Sequence, residues 1–301
     1  MIIAKFSLKG AYAPIPTPFA VNGAVAHDKL AENLAQWSKT CLAGFAVLGT
    51  NGEFAFLSDE EKLAVLRTAR QAIPRDKLFI AGTGCESTIH TLQLTEQAAA
   101  IGADAAMIIT PSYYKPKMDA TAMRRHFLQL ADRSPLPVIL YNMPGNTGVD
   151  LAAETVVELA QHPNILGIKD SSGNIAKLGY IIQAAPPHFQ VLAGSGSFFY
   201  AALVLGATGG VMALANIAPE ACCHLYEFAQ KGQHHEARQL QLKLIPPNAA
   251  VTSRFGVPGL KLALDWLGYY GGPPRSPLAP LDDAQRATLR AILVAADILP
   301  A

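Results

Sequence analysis

Lys169 closes the short apolar run Ile165-Leu166-Gly167-Ile168, and of the thirteen lysines in the chain it alone ends such a run. A run of this length bounded by turn residues reads as a buried strand, and a lysine at its end faces a desolvated pocket. Desolvation favours the neutral amine, the form that attacks a ketone to build an imine. The other lysines fall in helices, loops or near the terminus, where a solvated ammonium costs little. The plain alternative for Lys169 is an ion pair with Asp170. Successive strand residues face opposite sides, so Asp170 is badly aimed for it.

Tyr141 ends a second apolar run, Val138–Met143. A phenol there is either a general acid/base for the protons of a carbinolamine or a core aromatic whose hydroxyl meets a carbonyl. Gly49-Thr50-Asn51-Gly52-Glu53 is a glycine-bracketed turn whose backbone N–H groups and Thr50 hydroxyl suit a small carboxylate, while Glu53 reads as a helix cap. Gly194-Ser195-Gly196 follows a later run in a place often used for phosphate. No lysine or arginine adjoins it, so sugar hydroxyls or a ketone side chain are the expected contacts. Metal chemistry finds no ligand set, since none of the eight histidines ends a strand.

These groups need a scaffold that brings strand ends together. Apolar runs at Ala11–Phe19, Gly44–Gly49, Leu78–Gly82, Ala105–Thr110, Val138–Met143, Ile165–Lys169, Gln190–Gly194 and Gly210–Leu214 alternate with helix-period segments. Leu30, Leu34, Trp37 and Cys41 share one helical face, and Ser58-x-x-Glu61 matches a capping box. CLAGFAVLG, AIGADAAMIIT and VLGATGGVMAL each pass from helix to strand through a glycine suited to a left-handed cap. Eight such units predict a (β/α)8 TIM barrel, whose reacting groups sit at the C-terminal strand ends. A doubly wound open sheet is the runner-up, without the G-x-G-x-x-G it would want after its first strand. The barrel is assigned to residues 1–231. Residues 232–301 form a helical extension packed on it, with breaks at Pro246-Pro247 and 273–280 and a last helix marked by Leu289, Ile292, Leu293 and Ala296.

Composition narrows the function further. With 50% hydrophobic and 16% charged residues the chain folds around a real core. Its 24 Lys and Arg against 23 Asp and Glu leave no basic surplus for nucleic acid. Lys5 and Lys9 interrupt the N-terminal stretch before it becomes a signal segment. The uncharged stretch 198–215 carries Gly206, Gly209 and Gly210, so it reads as a buried helix–turn–strand and not as a membrane span. Cys41, Cys85, Cys222 and Cys223 lack C-x-x-C spacing and read as buried thiols of a reducing compartment, which suggests a soluble, cytoplasmic protein.

Taken together, the G-T/S-x-G-E turn, the Y-N-x-P strand end and the G-I-K-D strand resemble the pyruvate-dependent class I lyase family. That family includes dihydrodipicolinate synthase and N-acetylneuraminate lyase, and the resemblance covers essentially the whole chain. GTNGEFAFLS, AGTGCEST, GADAAMIITPSYY, YNMPGNTG, GGVMALAN, PNAAVTSRFGVPGLK and WLGYYGGP are most similar to its 4-hydroxy-2-oxoglutarate aldolases. The resemblance implies that Lys169 is the Schiff-base lysine and Tyr141 the proton-shuttling phenol. It implies that Thr50 and Asn51 hold the pyruvate carboxylate, and that Thr50 links Tyr141 to a Tyr113 reaching in from a neighbouring subunit. Many members carry a second hydroxyl residue where Asn51 stands; the aldolase subgroup has Asn. Ser171 matches a contact to the second substrate, and Gly194 is placed with the binding residues. Asn146 replaces the arginine of Y-N-x-P-x-R-T that helps dihydrodipicolinate synthases hold aspartate semialdehyde.

The implied activity is cleavage of 4-hydroxy-2-oxoglutarate to pyruvate and glyoxylate, with no cofactor, in a homotetramer built as a dimer of dimers. The alternatives are a synthase condensing pyruvate with aspartate semialdehyde and a non-catalytic barrel that binds a 2-oxo acid. The last would be marked by loss of Lys169 or Tyr141, and both are present.

Overall fold

The computed structural model describes residues 7–300; residues 1–6, which include Lys5 of the signal-segment reading, and residue 301 lie outside the described residues. Eight parallel strands close into a barrel in sequence order. They are β1 (Gly10–Pro14), β2 (Gly44–Val47), β3 (Leu78–Gly82), β4 (Ala105–Ile109), β5 (Val138–Asn142), β6 (Ile165–Asp170), β7 (Gln190–Ala193) and β8 (Gly209–Val211). Pairing of β8 with β1, Gly209 opposite Gly10 and Val211 opposite Tyr12, completes the ring.

Strand alternation separates two cores. Ile139 and Tyr141 on β5, like Ala105 and Met107 on β4, point into the barrel. Val138, Leu140, Ala106 and Ile108 point outward beneath the helices. The covering helices are α1 (His27–Trp37), α2 (Asp59–Ala72), α3 (Thr88–Ile101), α4 (Ala120–Arg133), the short α5 (Pro144–Thr147), α6 (Ala153–Leu159), α7 (Ile175–Ala184), α8 (Phe199–Leu205) and α9 (Pro219–Gln230). Leu30, Leu34 and Trp37 are buried on α1 as their spacing predicts, although the helix ends before Cys41. The capping box forms, with the Glu61 N–H donating to Ser58 Oγ and the Ser58 N–H to Glu61.

Two of the three helix-to-strand glycines are left-handed caps, Gly102 at φ 103° and Gly206 at φ 107°. Gly44 is not. It opens β2, where a Cβ would collide with the Leu78 carbonyl of β3, so close strand approach is what requires glycine there.

After α9 come α10 (His234–Ala249), α11 (Gly256–Trp266) and α12 (Asp283–Ala295). The break expected at Pro246-Pro247 does not occur: both prolines lie inside α10, which runs on into a π-helical stretch, Ala250–Arg254. Each proline removes one N–H bond to the preceding turn. Burial of Leu244, Pro247 and Asn248 on the same segment offsets that loss. His234 and His235 open α10 on its exposed side. No helix of the described residues is long and apolar enough to cross a membrane, and stretch 198–215 is divided between α8 and β8.

The cysteine expectation needs correction. Cys41 and Cys223 form a disulfide across 182 residues of sequence, with Cα atoms 6.3 Å apart, leaving Cys85 and Cys222 as free thiols. The barrel brings the segment before β2 against α9, a proximity that spacing along the chain does not display. With two of the four cysteines bonded, the cysteines do not point to a reducing compartment.

One buried histidine makes acid stability testable. His126 on α4 is 6% exposed, with Nδ1 2.8 Å from Thr88 Oγ1. Burial pushes its pKa from 6.5 down to about 4, against a smaller upward pull from Glu86. The unfolded chain therefore takes up this proton first. The contribution is whole above about pH 6.5 and is lost as pH falls towards 4, about 3 kcal/mol in all. Denaturant unfolding at pH 7 and pH 4 should show wild type losing more stability than His126→Gln by about that amount. Parallel losses would mean that His126 ionises freely in the folded protein.

Candidate active site

Strand register sets the central pair. Tyr141 on β5 lies opposite Lys169 on β6, both pointing inward, and Lys169 Nζ sits 4.0 Å from the Tyr141 ring centroid. Lys169 is 3% and Tyr141 4% exposed. The next residues up, Asn142 and Asp170, point to the outer side by the same alternation. There Asn142 Nδ2 donates to Asp170 at 2.7 Å, and Lys177 from α7 lies 3.3 Å from the same carboxylate. Asp170 thus has its own partners, and the ion-pair alternative for Lys169 is removed.

The turn after β2 supplies the third group. Thr50–Gly52 is a single 3₁₀ turn, and Thr50 Oγ1 lies 3.0 Å from the Tyr141 hydroxyl. Both are hydroxyls, so a proton can pass along Thr50–Tyr141 in either direction. Asn51 ties the turn to β1 by donating its side-chain amide to the Pro14 carbonyl at 3.2 Å. Thr17 Oγ1 donates to the Gly52 carbonyl at 2.7 Å.

Glu53 ends the turn in the left-handed region, at φ 52°. It stands at the N-cap position of the 3₁₀ turn Phe54–Phe56, but its side chain makes no capping bond. It is buried against Lys261 of α11 at 2.5 Å and accepts the Arg275 backbone N–H at 2.8 Å. Burial lowers the Lys261 pKa, and the Glu53 carboxylate pulls the other way. The Lys261 and Lys177 side chains, 1% and 7% exposed, are thus buried like that of Lys169, contrary to the expectation that every other lysine is solvated. What separates Lys169 is the company it keeps: the other two face carboxylates, and it faces a phenol ring.

Around these groups opens a cavity of about 1260 Å³, lined by Thr50, Asn51, Tyr141, Asn146, Lys169, Ser171 and Gly194 among others. Seven of the eight residues singled out from sequence therefore share one space. Ser171 and Gly194 touch: a Cβ on Gly194 would collide with Ser171 Oγ, so glycine is required for β6 and β7 to close side by side. Asn146, exposed on α5, reaches the mouth. Tyr113 does not join them. It is 78% exposed on the loop after β4, stacked edge-on against Tyr114, with its N–H donating to Glu86 at 2.9 Å.

One wall comes from beyond the barrel. Asn248 of α10 and Val251, Thr252 and Ser253 of the π-helical stretch line the same cavity, as do Ser195 and Ser197 after β7. The sequence marks the C-terminal helices only as an appendage and leaves Asn248, Val251, Thr252 and Ser253 without a role in the site. Its one available signal was the Pro246-Pro247 step, since π-helical turns are often found at functional sites. Lys62 and Lys169 are the only lysines among the described lining residues, and no arginine is among them.

Comparison with known proteins agrees with this architecture. Residues 7–296 match the dihydrodipicolinate synthetase family. A 4-hydroxy-tetrahydrodipicolinate synthase of Methanothrix thermoacetophila is 37% identical, over 95% of this chain and 96% of that protein. A probable mitochondrial 4-hydroxy-2-oxoglutarate aldolase of Emericella nidulans is 34% identical, over 93% and 92%. The crystal structure of a chloride-inhibited dihydrodipicolinate synthase from Acinetobacter baumannii, complexed with pyruvate, superposes with a TM-score of 0.93 at 33% identity, covering 97% of this chain and all of that one. Barrel, strand-end constellation and relatives lead to one conclusion: the chain belongs to the dihydrodipicolinate synthetase family.

Proposed function

We propose that this protein is a lysine-imine aldolase that cleaves 4-hydroxy-2-oxoglutarate to pyruvate and glyoxylate. The observation that carries the reading is the buried Lys169 amine against Tyr141, itself bonded to Thr50. Lys169 Nζ attacks the C2 ketone, Tyr141 moves protons through Thr50, and water leaves as the iminium forms. Tyr141 then accepts the C4 hydroxyl proton as the C3–C4 bond breaks. The bonding electrons enter the enamine and glyoxylate departs. Protonation at C3 and addition of one water release pyruvate and the free amine. The Thr50–Asn51 turn holds the C1 carboxylate.

Two observations support the aldolase over condensation of pyruvate with aspartate semialdehyde. Asn146 stands where a synthase would carry arginine, and no arginine lines the cavity among the described residues. A neutral amide cannot make the bidentate pair that a guanidinium makes with a carboxylate. The synthase names of the family, of the Methanothrix relative and of the Acinetobacter structure keep condensation as the second reading. Cleavage of 4-hydroxy-2-oxoglutarate is expected to exceed condensation by about one to two decades in kcat/KM. Equal or faster condensation, followed through a coupled reductase, would reverse the choice.

A homotetramer, a dimer of dimers, is proposed with this activity. Tyr113 lies outside its own cavity and is free to enter that of a second copy, which is the role the resemblance implies for it.

A further inference from the structure

The loop after β7 is held from behind by two buried amides of α10. Gln241 Nε2 donates to the Gly196 carbonyl at 2.7 Å, and its Oε1 accepts the Tyr200 N–H at 2.8 Å. Asn248, 1% exposed, accepts the Gly196 N–H on Oδ1 at 3.1 Å. A backbone N–H only donates, so this bond decides which end of the Asn248 amide is oxygen. Its Nδ2 must then face the two serines, donating to Ser195 Oγ at 2.9 Å and to Ser197 Oγ at 2.8 Å.

Ser195 Oγ also accepts the Ser197 N–H at 3.3 Å. With both lone pairs occupied, the Ser195 hydroxyl has only its proton left to offer, and among the described residues no protein group accepts it. Ser195 lines the cavity, three residues beyond Leu192, the register partner of Lys169. That places it two residues beyond the C-terminal end of β7, at the rim where Lys169 also stands. The cavity therefore holds a hydroxyl whose polarity is imposed from outside the barrel: a committed donor, with the Ser197 hydroxyl beside it.

We propose that Ser195, polarised by Asn248 and assisted by Ser197, binds the distal carboxylate of a five-carbon 2-oxo diacid. It would do so in place of an arginine. A committed donor suits a group that only accepts, which a carboxylate is. This differs from the sugar-hydroxyl contact expected from sequence, because an unpolarised serine serves either partner and this one does not. The proposal rests on the reading of Lys169 as the residue that fixes the substrate's ketone.

Calorimetric titration with 2-oxoglutarate and with 2-oxopentanoate, which carries a methyl in place of the distal carboxylate, tests it. Wild type should bind 2-oxoglutarate at least about tenfold more tightly, the scale of a hydrogen bond to a charged group. Ser195→Ala removes the donor. Asn248→Asp keeps the acceptor for the Gly196 N–H but turns the serine protons towards itself. Both variants should bring the two affinities within about threefold of each other. No preference in wild type, or a preference surviving in both variants, would overturn the assignment. Borohydride trapping of pyruvate, run in parallel, reports on the imine separately. Failure to label Lys169 would remove that reading, while the affinity ratio would still decide the serine site.

Discussion

Borohydride added with pyruvate is expected to reduce an imine on Lys169, adding the three-carbon unit to the peptide that contains Ile168-Lys169-Asp170. Lys169→Ala should leave no adduct and lower turnover by about 10⁴-fold or more, the scale on which removing a covalent nucleophile acts. The structure makes the experiment selective. Lys177 and Lys261 are as deeply buried but are paired with carboxylates, Asp150 and Asp170 for the first and Glu53 for the second. Drawing either amine away to a ketone would leave a buried carboxylate, Asp170 or Glu53, without its partner, so the two amines stay engaged. Lys169 faces the Tyr141 ring and the cavity. Mass mapping that places the adduct on another lysine, or finds none, would end the imine mechanism.

Tyr141→Phe should cost about 10²–10⁴ in kcat while changing pyruvate affinity little. Phenylalanine keeps the ring beside the Lys169 amine and the packing among Ile139, Met107 and Leu192. It removes only the hydroxyl that lies 3.0 Å from Thr50 Oγ1. The loss should therefore appear in the proton-transfer steps and not in binding, separating kcat from KM. A folded Tyr141→Phe protein with wild-type turnover would make Tyr141 a packing residue whose hydroxyl serves Thr50 alone.

Much of this was legible in residue order. Strand and helix periods are local properties, set by which faces must be apolar, so the eight strands lie close to the positions their runs predict. Lys169 and Tyr141 stood out because a charged or phenolic group ending an apolar run is unusual, and parallel strands carry such ends to one rim. The Gly49–Glu53 turn was recognisable by its bracketing glycines.

Distance along the chain hid the rest. The Cys41–Cys223 disulfide, the Glu53–Lys261 pair and the Asn248 clamp on Ser195 and Ser197 each join residues from 51 to 208 positions apart. A cysteine, a glutamate after a turn or an asparagine in a helix has the same local pattern with or without its partner. By itself, then, the sequence determined the barrel, its strand ends and the placement of Lys169 and Tyr141 at two of those ends, because periodicity and strand alternation settle those within a few residues. Tertiary structure alone decided which buried lysines are neutralised by carboxylates, and that the C-terminal helices form a wall of the site. It also decided which way the β7 serines offer their protons. Ion pairing and hydrogen-bond direction depend on what the fold sets opposite each group.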